Sequence, residues 1–296
     1  MGAISNLFGY LLNWLYQLFG NYGIAIIVFS IIFRIILIPI TIKQQKTMKK
    51  SAEMQDKLKE VQNKYKNNPE KLNQETIELY KKEKMNPFSG CLSSIVQIVI
   101  ILAVFYLVSR PLTYMKKIDN EIIEKYSTEI KEENGTTSPY YEIEIIQKKG
   151  QQDENVYINM NFLGLDLSKV PNQNMNDYRV YIIPLLYVVT SFISIKLTNN
   201  MQQNKKSKEK IKLIESAEKS ENEGENGVND KQEEALESMQ EMSKSMSYMM
   251  PIMAISIAFI APLGLALYWL VSNCLMIIER IIINKFMKKE EENNQI

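Results

Sequence analysis

The sequence predicts an all-α membrane protein with five transmembrane helices, an N-terminal interfacial helix and a cytoplasmic helical hairpin. Three observations support this fold class. Uncharged apolar runs about as long as a bilayer is thick recur along the 296 residues. Charged segments separate the runs, so an overall hydrophobic content of 46% hides their membrane character. Lysine-rich stretches border the runs on alternate sides, which predicts the topology.

The first apolar run, Gly23 to Ile42, contains a single charge, Arg34, near its middle. A helix of that length rises about 30 Å, which matches the hydrocarbon core of a bilayer. An arginine at such a depth costs about 2.5–3.5 kcal/mol on insertion scales, so it normally faces protein or water. We therefore favour a functional role for Arg34. The alternative is a side chain that snorkels to the nearer interface.

Charge and composition divide the chain into ten segments. Residues 1–33 carry no charge, whereas lysines follow the first run directly, so the N-terminus is expected outside. The predicted segments are an interfacial amphipathic helix at 1–20, spans at 21–42, 88–110, 178–198, 246–262 and 263–284, a cytoplasmic hairpin at 43–87, an extracytoplasmic loop at 111–177, an acidic cytoplasmic linker at 199–245 and a cytoplasmic tail at 285–296.

The last apolar block, Tyr248 to Ile278, is predicted to form two spans. It contains no charge and is interrupted by Pro262-Leu263-Gly264. As one helix it would be about 46 Å long, too long for the bilayer. Basic residues lie on both sides of the block, so both ends are expected in the cytoplasm and the number of crossings is even.

The hairpin segment 43–87 holds 12 basic and 7 acidic residues. Its apolar positions recur at helical spacing until Asn68-Pro69, where the asparagine can cap a second helix and the proline can open it. We therefore expect two charged helices that turn at this point.

Several chemistries are disfavoured by the residue types. The chain has no histidine, and its two cysteines, Cys91 and Cys274, lie inside or at the edge of apolar blocks. These features indicate neither a zinc site nor a disulfide framework. A net charge of +1 does not indicate a nucleic-acid-binding protein. We expect no metal, no cofactor and no catalytic residue.

Polar side chains recur on the predicted spans. Ser30, Arg34 and Thr41 share one face of the first span, and the other spans carry Gln97, Ser191, Ser194, Ser272 and Asn273. Each alone is typical of helix packing, since such hydrogen bonds contribute only about 0.6–2 kcal/mol. Together with an arginine that we expect to have no acidic partner in the membrane, they indicate a hydrated cavity. The missing intramembrane acids argue against a proton-coupled transporter.

Several motifs resemble those of the bacterial YidC/Oxa membrane-protein insertase family. They occur in order along the chain: Arg34 followed by Ile-Leu-Ile-Pro-Ile-Thr-Ile-Lys-Gln, a charged hairpin with Tyr65-Lys66, Asn86-Pro-Phe-Ser-Gly-Cys-Leu92, Phe162-Leu-Gly-Leu-Asp-Leu167, Met250-Pro-Ile-Met253 and Pro262-Leu-Gly-Leu-Ala-Leu-Tyr-Trp-Leu-Val-Ser-Asn273. The likeness is to the Gram-positive type, which has no large folded domain before the first span. No lipid-attachment cysteine is expected.

The resemblance implies a groove open to the cytoplasm and to lipid, with Arg34 at the position of the family's groove arginine. We expect Ser30, Gln97, Ser191, Ser272 and Asn273 to line the groove and Thr41, Tyr268 and Trp269 to flank it. A substrate's hydrophilic tail would enter the groove while its apolar helix moves into lipid. No bond is made or broken, so the protein is not expected to be an enzyme.

The resemblance also implies partners. Nascent membrane proteins and the lipid bilayer are expected, with the Sec translocon, the ribosome and the signal-recognition-particle receptor as further candidates, and no sequence-specific nucleic acid. The hairpin would recruit them through Lys49, Lys50, Lys57, Lys59 and Lys64. Because the tail ends in glutamates after Lys288-Lys289, the hairpin is a better candidate for ribosome contact than the tail.

Two other functions remain open at this point. A small-solute channel or transporter could use the same polar cavity, although no inverted repeat is evident. A structural assembly factor or chaperone would bind through the hairpin and the linker, and its function would not depend on Arg34.

Overall fold

The computed structural model describes residues 2–65, 68–83, 89–135, 138–197 and 256–293. Most of this part is helical, so the predicted all-α fold is confirmed. The helices are α1 (Gly2–Phe19), α2 (Tyr22–Lys64), α3 (Pro69–Lys82), α4 (Ser89–Ser109), α5 (Asn120–Asn134), α6 (Tyr141–Lys149), α7 (182–197), α8 (256–260) and α9 (Leu263–Asn293). Between α4 and α7 lie a π-helical turn (Leu112–Lys116), an antiparallel pair of short strands, β1 (Asn161–Phe162) and β2 (Leu165–Asp166), and 3₁₀ turns at Pro171–Gln173 and Tyr178–Tyr181.

Three helical segments in the described residues are long and apolar enough to cross a membrane: Tyr22–Thr47, Tyr178–Leu197 and Leu263–Phe286. Val99–Ser109 is a shorter apolar stretch within α4. The acidic linker predicted at 199–245, and residues 246–255 of the predicted fourth span, lie outside the described residues. Five spans, and the positions of their boundaries, therefore stay predictions.

The first span and the first arm of the hairpin form one continuous helix. Asn21 caps α2 by accepting a hydrogen bond from the Ile24 amide at 3.1 Å, and α2 then runs 43 residues to Lys64. At about 1.5 Å per residue such a helix is roughly 65 Å long, twice the thickness of the hydrocarbon core. The predicted boundary at residue 42 is therefore not a break in the helix.

The turn of the hairpin is formed as predicted. The Asn68 side chain accepts a hydrogen bond from the Lys71 amide at 3.1 Å, and Pro69 is the first residue of α3. Across the hairpin, Lys57 pairs with Glu83 at 2.5 Å, and the Tyr65 hydroxyl donates to Glu75 at 3.0 Å. The two helices are thus joined by polar contacts, whereas α3 buries no side chain.

Helix α1 packs one face against the bundle and exposes apolar residues on the other. Its buried residues are Ser5, Gly9, Leu12 and Leu15. The Ser5 hydroxyl donates to the Ala103 carbonyl of α4 at 3.0 Å. The exposed residues include Leu7, Tyr10, Trp14 and Leu18. Such a face suits a membrane interface, which stays a prediction for this helix.

The segment predicted as a long loop, 111–177, is folded, and we name residues 111–181 the cap. Helices α5 and α6 pair through Lys149–Glu129 at 3.0 Å and Lys148–Glu133 at 3.3 Å. The cap also binds the ends of two candidate spans. The Tyr22 amide of α2 donates to the Asn159 carbonyl at 3.1 Å, and the Gly264 amide of α9 donates to the Leu167 carbonyl at 2.9 Å. The cap therefore fixes the distance between α2 and α9 at this end of the bundle.

A buried carboxylate joins the cap to the end of α4. Glu142 is completely buried, and it accepts hydrogen bonds from the Thr113 amide at 2.9 Å and the Thr113 hydroxyl at 2.6 Å. Burial raises the pKa of Glu142, and the hydrogen bonds from Thr113 oppose this shift only in part. The folded protein therefore binds a proton at Glu142 more tightly than the unfolded chain does. Its contribution to stability is present at acid pH and is lost as the pH rises through the raised pKa.

Replacing Glu142 with glutamine is expected to reduce the loss of stability as the pH rises from about 4.5 to 7.5, because the buried charge is removed while an acceptor for the Thr113 amide is kept. Glu142→Ala should instead cost about 1–3 kcal/mol, since the amide is left unpaired. Thermal unfolding of the purified protein in detergent at the two pH values measures both effects. Glu132→Gln, on the exposed surface of α5, is the matched control. A Glu142→Gln profile that parallels the wild type would contradict this account.

Candidate functional site

Arg34 lies in the apolar part of α2 and contacts α9. Its side chain is 19% exposed, so it faces protein more than lipid. Nη2 donates a hydrogen bond to the Ser272 carbonyl at 3.3 Å, and Nε lies 3.3 Å from Oε2 of Glu279. Helices α2 and α9 contact each other extensively, so the arginine sits at a broad helix interface of the bundle.

The expectation that no acidic residue neutralises Arg34 is wrong. The expectation considered only the apolar run that ends at Ile278, although the predicted last span, 263–284, contains Glu279. In the structure α9 continues without a break to Asn293, and the Glu279 side chain is only 7% exposed. Glu279 lies seven residues after Ser272, which is two helical turns, so both groups face Arg34 from one side of α9.

A second polar cluster joins α9 to α7. The Asn273 amide group donates to the Thr190 hydroxyl at 3.1 Å and to the Ser191 hydroxyl at 3.3 Å. Asn273 and Ser191 are 7% and 5% exposed, respectively. Because Ser272 and Asn273 are neighbours on α9, the two clusters adjoin. The structure thus brings Arg34, Ser272, Asn273 and Ser191 into one region.

Other residues predicted for the groove have local partners. The Ser30 hydroxyl donates to the Ile26 carbonyl at 2.7 Å, and the Thr41 hydroxyl donates to the Leu37 carbonyl at 3.2 Å. Both bonds lie within α2, so they satisfy the hydroxyls without reaching Arg34. Tyr268 is buried and lies one helical turn before Ser272 on α9. The Trp269 ring lies 6.2 Å from the Tyr187 ring on α7. The side chain of Gln97 lies outside the described part of the structure.

The predicted recruitment lysines lie along the α2 arm of the hairpin. Lys50, Lys57 and Lys64 are exposed. Lys57 is paired with Glu83, and Lys64 lies 5.5 Å from the centre of the Tyr65 ring. The side chains of Lys49 and Lys59 are outside the described residues. The described lysines present positive charge on the hairpin surface, and the negative charge of Glu83 partly offsets it.

Sequence reasoning missed Glu279 and Thr190. Glu279 could have been found from the absence of any helix-breaking residue after Ile278, together with its two-turn spacing from Ser272. Thr190 directly precedes the predicted Ser191, but no sequence pattern distinguishes it from other hydroxyl residues in the spans. Among the residues that the structure describes, no group of histidine, cysteine, aspartate or glutamate side chains is arranged to hold a metal ion.

The candidate spans and their polar contacts define a multi-pass α-helical membrane protein. Comparison with known proteins agrees with this class. The profile of the 60Kd inner membrane protein family matches residues 14–291. The chain belongs to this family, and the predicted resemblance to YidC insertases is confirmed by its relatives.

Two of these relatives match almost the whole chain. The Membrane protein insertase YidC of Treponema denticola is 25% identical over 289 residues, which cover 98% of this chain and 38% of that protein. The Membrane protein insertase YidC 2 of Listeria innocua is 26% identical over 292 residues, covering 97% and 72% of the two chains. The Membrane protein insertase YidC of Caldanaerobacter subterraneus is 43% identical over 105 residues, which are 36% of this chain and 51% of that protein. The chain thus spans about half or less of the Caldanaerobacter and Treponema proteins.

Proposed function

We propose that this protein inserts membrane proteins into the bilayer of a bacterial cell and helps them to fold. The observation that carries the proposal is a part-exposed arginine within a candidate span, held at the α2–α9 interface of a chain that belongs to an insertase-containing family. An arginine inside a span is costly, so its presence there favours a site that meets water or a polar ligand.

In the proposed mechanism, Arg34 and its polar neighbours line a hydrated groove that opens toward the cytoplasm and toward lipid. A substrate's hydrophilic tail enters this groove and exchanges hydrogen bonds with Arg34 and Asn273 in place of water. Its apolar helix meanwhile moves along the exposed apolar faces of the spans, such as Leu185, Val189 and Phe192 of α7. The tail then crosses a shorter apolar path than the full bilayer, which lowers the barrier to translocation.

The proposed orientation places the N-terminus outside and the C-terminus in the cytoplasm. The hairpin then projects into the cytoplasm, where its exposed lysines attract nascent chains, the ribosome or the signal-recognition-particle receptor. The protein acts alone or beside the Sec translocon. Basic residues that follow the first apolar run support this orientation, because positive charge is retained on the cytoplasmic side.

Insertion by the purified protein tests the proposal. Wild-type protein in lipid vesicles should render the tail of a small single-span substrate resistant to added protease, whereas protein-free vesicles should not. The same vesicles, loaded with a small anion and given no substrate protein, should retain it. Anion release without insertion would instead favour a channel and would contradict the proposed function.

A further inference from the structure

The ion pair at Arg34 leaves part of the acidic side chain without a partner. Oε2 of Glu279 faces the guanidinium at 3.3 Å, and Glu279 is 7% exposed. Its other oxygen, Oε1, is buried and makes no hydrogen bond within the described part of the chain. Leaving a buried carboxylate oxygen unpaired is costly, so this atom is an acceptor for which the described residues provide no donor.

Three charges meet at this place. Arg280 follows Glu279 in α9 and interacts electrostatically with both Glu279 and Arg34. Replacing Glu279 with a neutral residue would make the charge of this group more positive by one unit. At a separation of several ångströms in a partly buried site, one unit of charge changes the affinity for an ion by a large factor.

We propose that Glu279 is a built-in counter-ion of Arg34 and sets which substrate tails the site accepts. This inference rests on the proposed insertase function. A tail rich in carboxylates must compete with Glu279 for the guanidinium and is repelled by it. A neutral polar tail is not repelled by Glu279. Its N–H groups can donate to Oε1 while its carbonyls accept from Arg34. Glu279 therefore favours neutral polar tails over acidic ones.

The test compares matched substrates that differ only in a short tail segment, which is acidic in one and consists of the corresponding amides in the other. Vesicles with wild-type protein give a ratio of acidic-tail to neutral-tail insertion. Glu279→Gln should raise that ratio at least about fivefold, because the net charge at the site rises by one unit. Glu279→Asp should restore the wild-type ratio, since the negative charge returns.

The ratio separates a role in selectivity from a structural role. If Glu279→Gln lowers insertion of both substrates equally, the residue only supports the fold and the inference is overturned. If Glu279→Gln does not fold, Glu279→Ser carries the same expectation, because the smaller side chain leaves room for water beside Arg34. An unchanged ratio in the folded variant also overturns the inference but leaves the proposed function standing. Failure of the wild type to insert either substrate overturns both.

Discussion

Alanine at position 9 is expected to lower the free energy of unfolding by about 3 kcal/mol or more. Gly9 is where α1 approaches the π-helical turn that follows α4. A Cβ atom there would lie 1.8 Å from the carbonyl oxygen of Tyr114 and 2.6 Å from its carbonyl carbon. Both atoms belong to the backbone, so a rotamer change cannot relieve the clash. Helix α1 must move away from the bundle, and its contacts with α2 and α4 weaken.

Gly2→Ala is the matched control for this prediction. It makes the same substitution in the same helix, but nothing lies within 4 Å of the new Cβ atom. Alanine also has the higher helix propensity, so this variant should be as stable as the wild type or slightly more stable. Thermal unfolding in detergent compares the two. Equal melting temperatures for the Gly9→Ala and Gly2→Ala variants would show that α1 does not pack as described.

Removing the charge of Arg34 is expected to lower the free energy of unfolding by about as much as Gly9→Ala does. Arg34→Met leaves the Glu279 carboxylate 7% exposed and without its cation. Breaking a buried ion pair at one partner typically costs about 3–5 kcal/mol, because the remaining charge is desolvated and unpaired. The double variant Arg34→Gln/Glu279→Gln should recover much of this loss, since neither side chain is then charged. Unfolding by denaturant in mixed micelles gives the free energies of unfolding of the wild type, Arg34→Met and the double variant.

An exposed pair in the same protein provides the control. Arg179 binds Asp177 at 2.9 Å, but the arginine side chain is 53% exposed. Arg179→Met should therefore cost no more than about 1 kcal/mol. If Arg34→Met proves as mild as Arg179→Met, Glu279 must find water or another partner without Arg34, and the buried pair contributes little to the fold.

Much of the helical architecture could be predicted from the sequence. Arg34 stands out because a lone charge in a long apolar run is costly, and the turn at Asn68-Pro69 is visible because capping and helix initiation demand particular residues. Both signals are local, because each depends on one or two residues that differ from their neighbours in the sequence. The predicted grouping of Ser191, Ser272 and Asn273 near Arg34 rested on the recurrence of polar residues on several spans and on the family resemblance.

The cap and the acidic partner of Arg34 were harder to predict. The cap depends on contacts between distant residues, such as Glu142 with Thr113, which leave no periodic pattern in the sequence. Glu279 was overlooked, because hydropathy marks where a run of apolar residues stops and not where a helix stops. Ser30 and Thr41 were predicted to share the face of Arg34, but a hydroxyl in a helix can bind the preceding turn, and both do so.

In the proposed function, the Arg34 guanidinium assists the passage of substrate tails. Insertion by the double variant Arg34→Gln/Glu279→Gln tests this role most directly, because the variant lacks the guanidinium and leaves no buried charge unpaired. With equal amounts of folded protein in the vesicles, we expect the initial rate of insertion of a neutral-tail substrate to fall at least about tenfold, which corresponds to about 1.4 kcal/mol in the barrier. A rate equal to that of the wild type would contradict the claim.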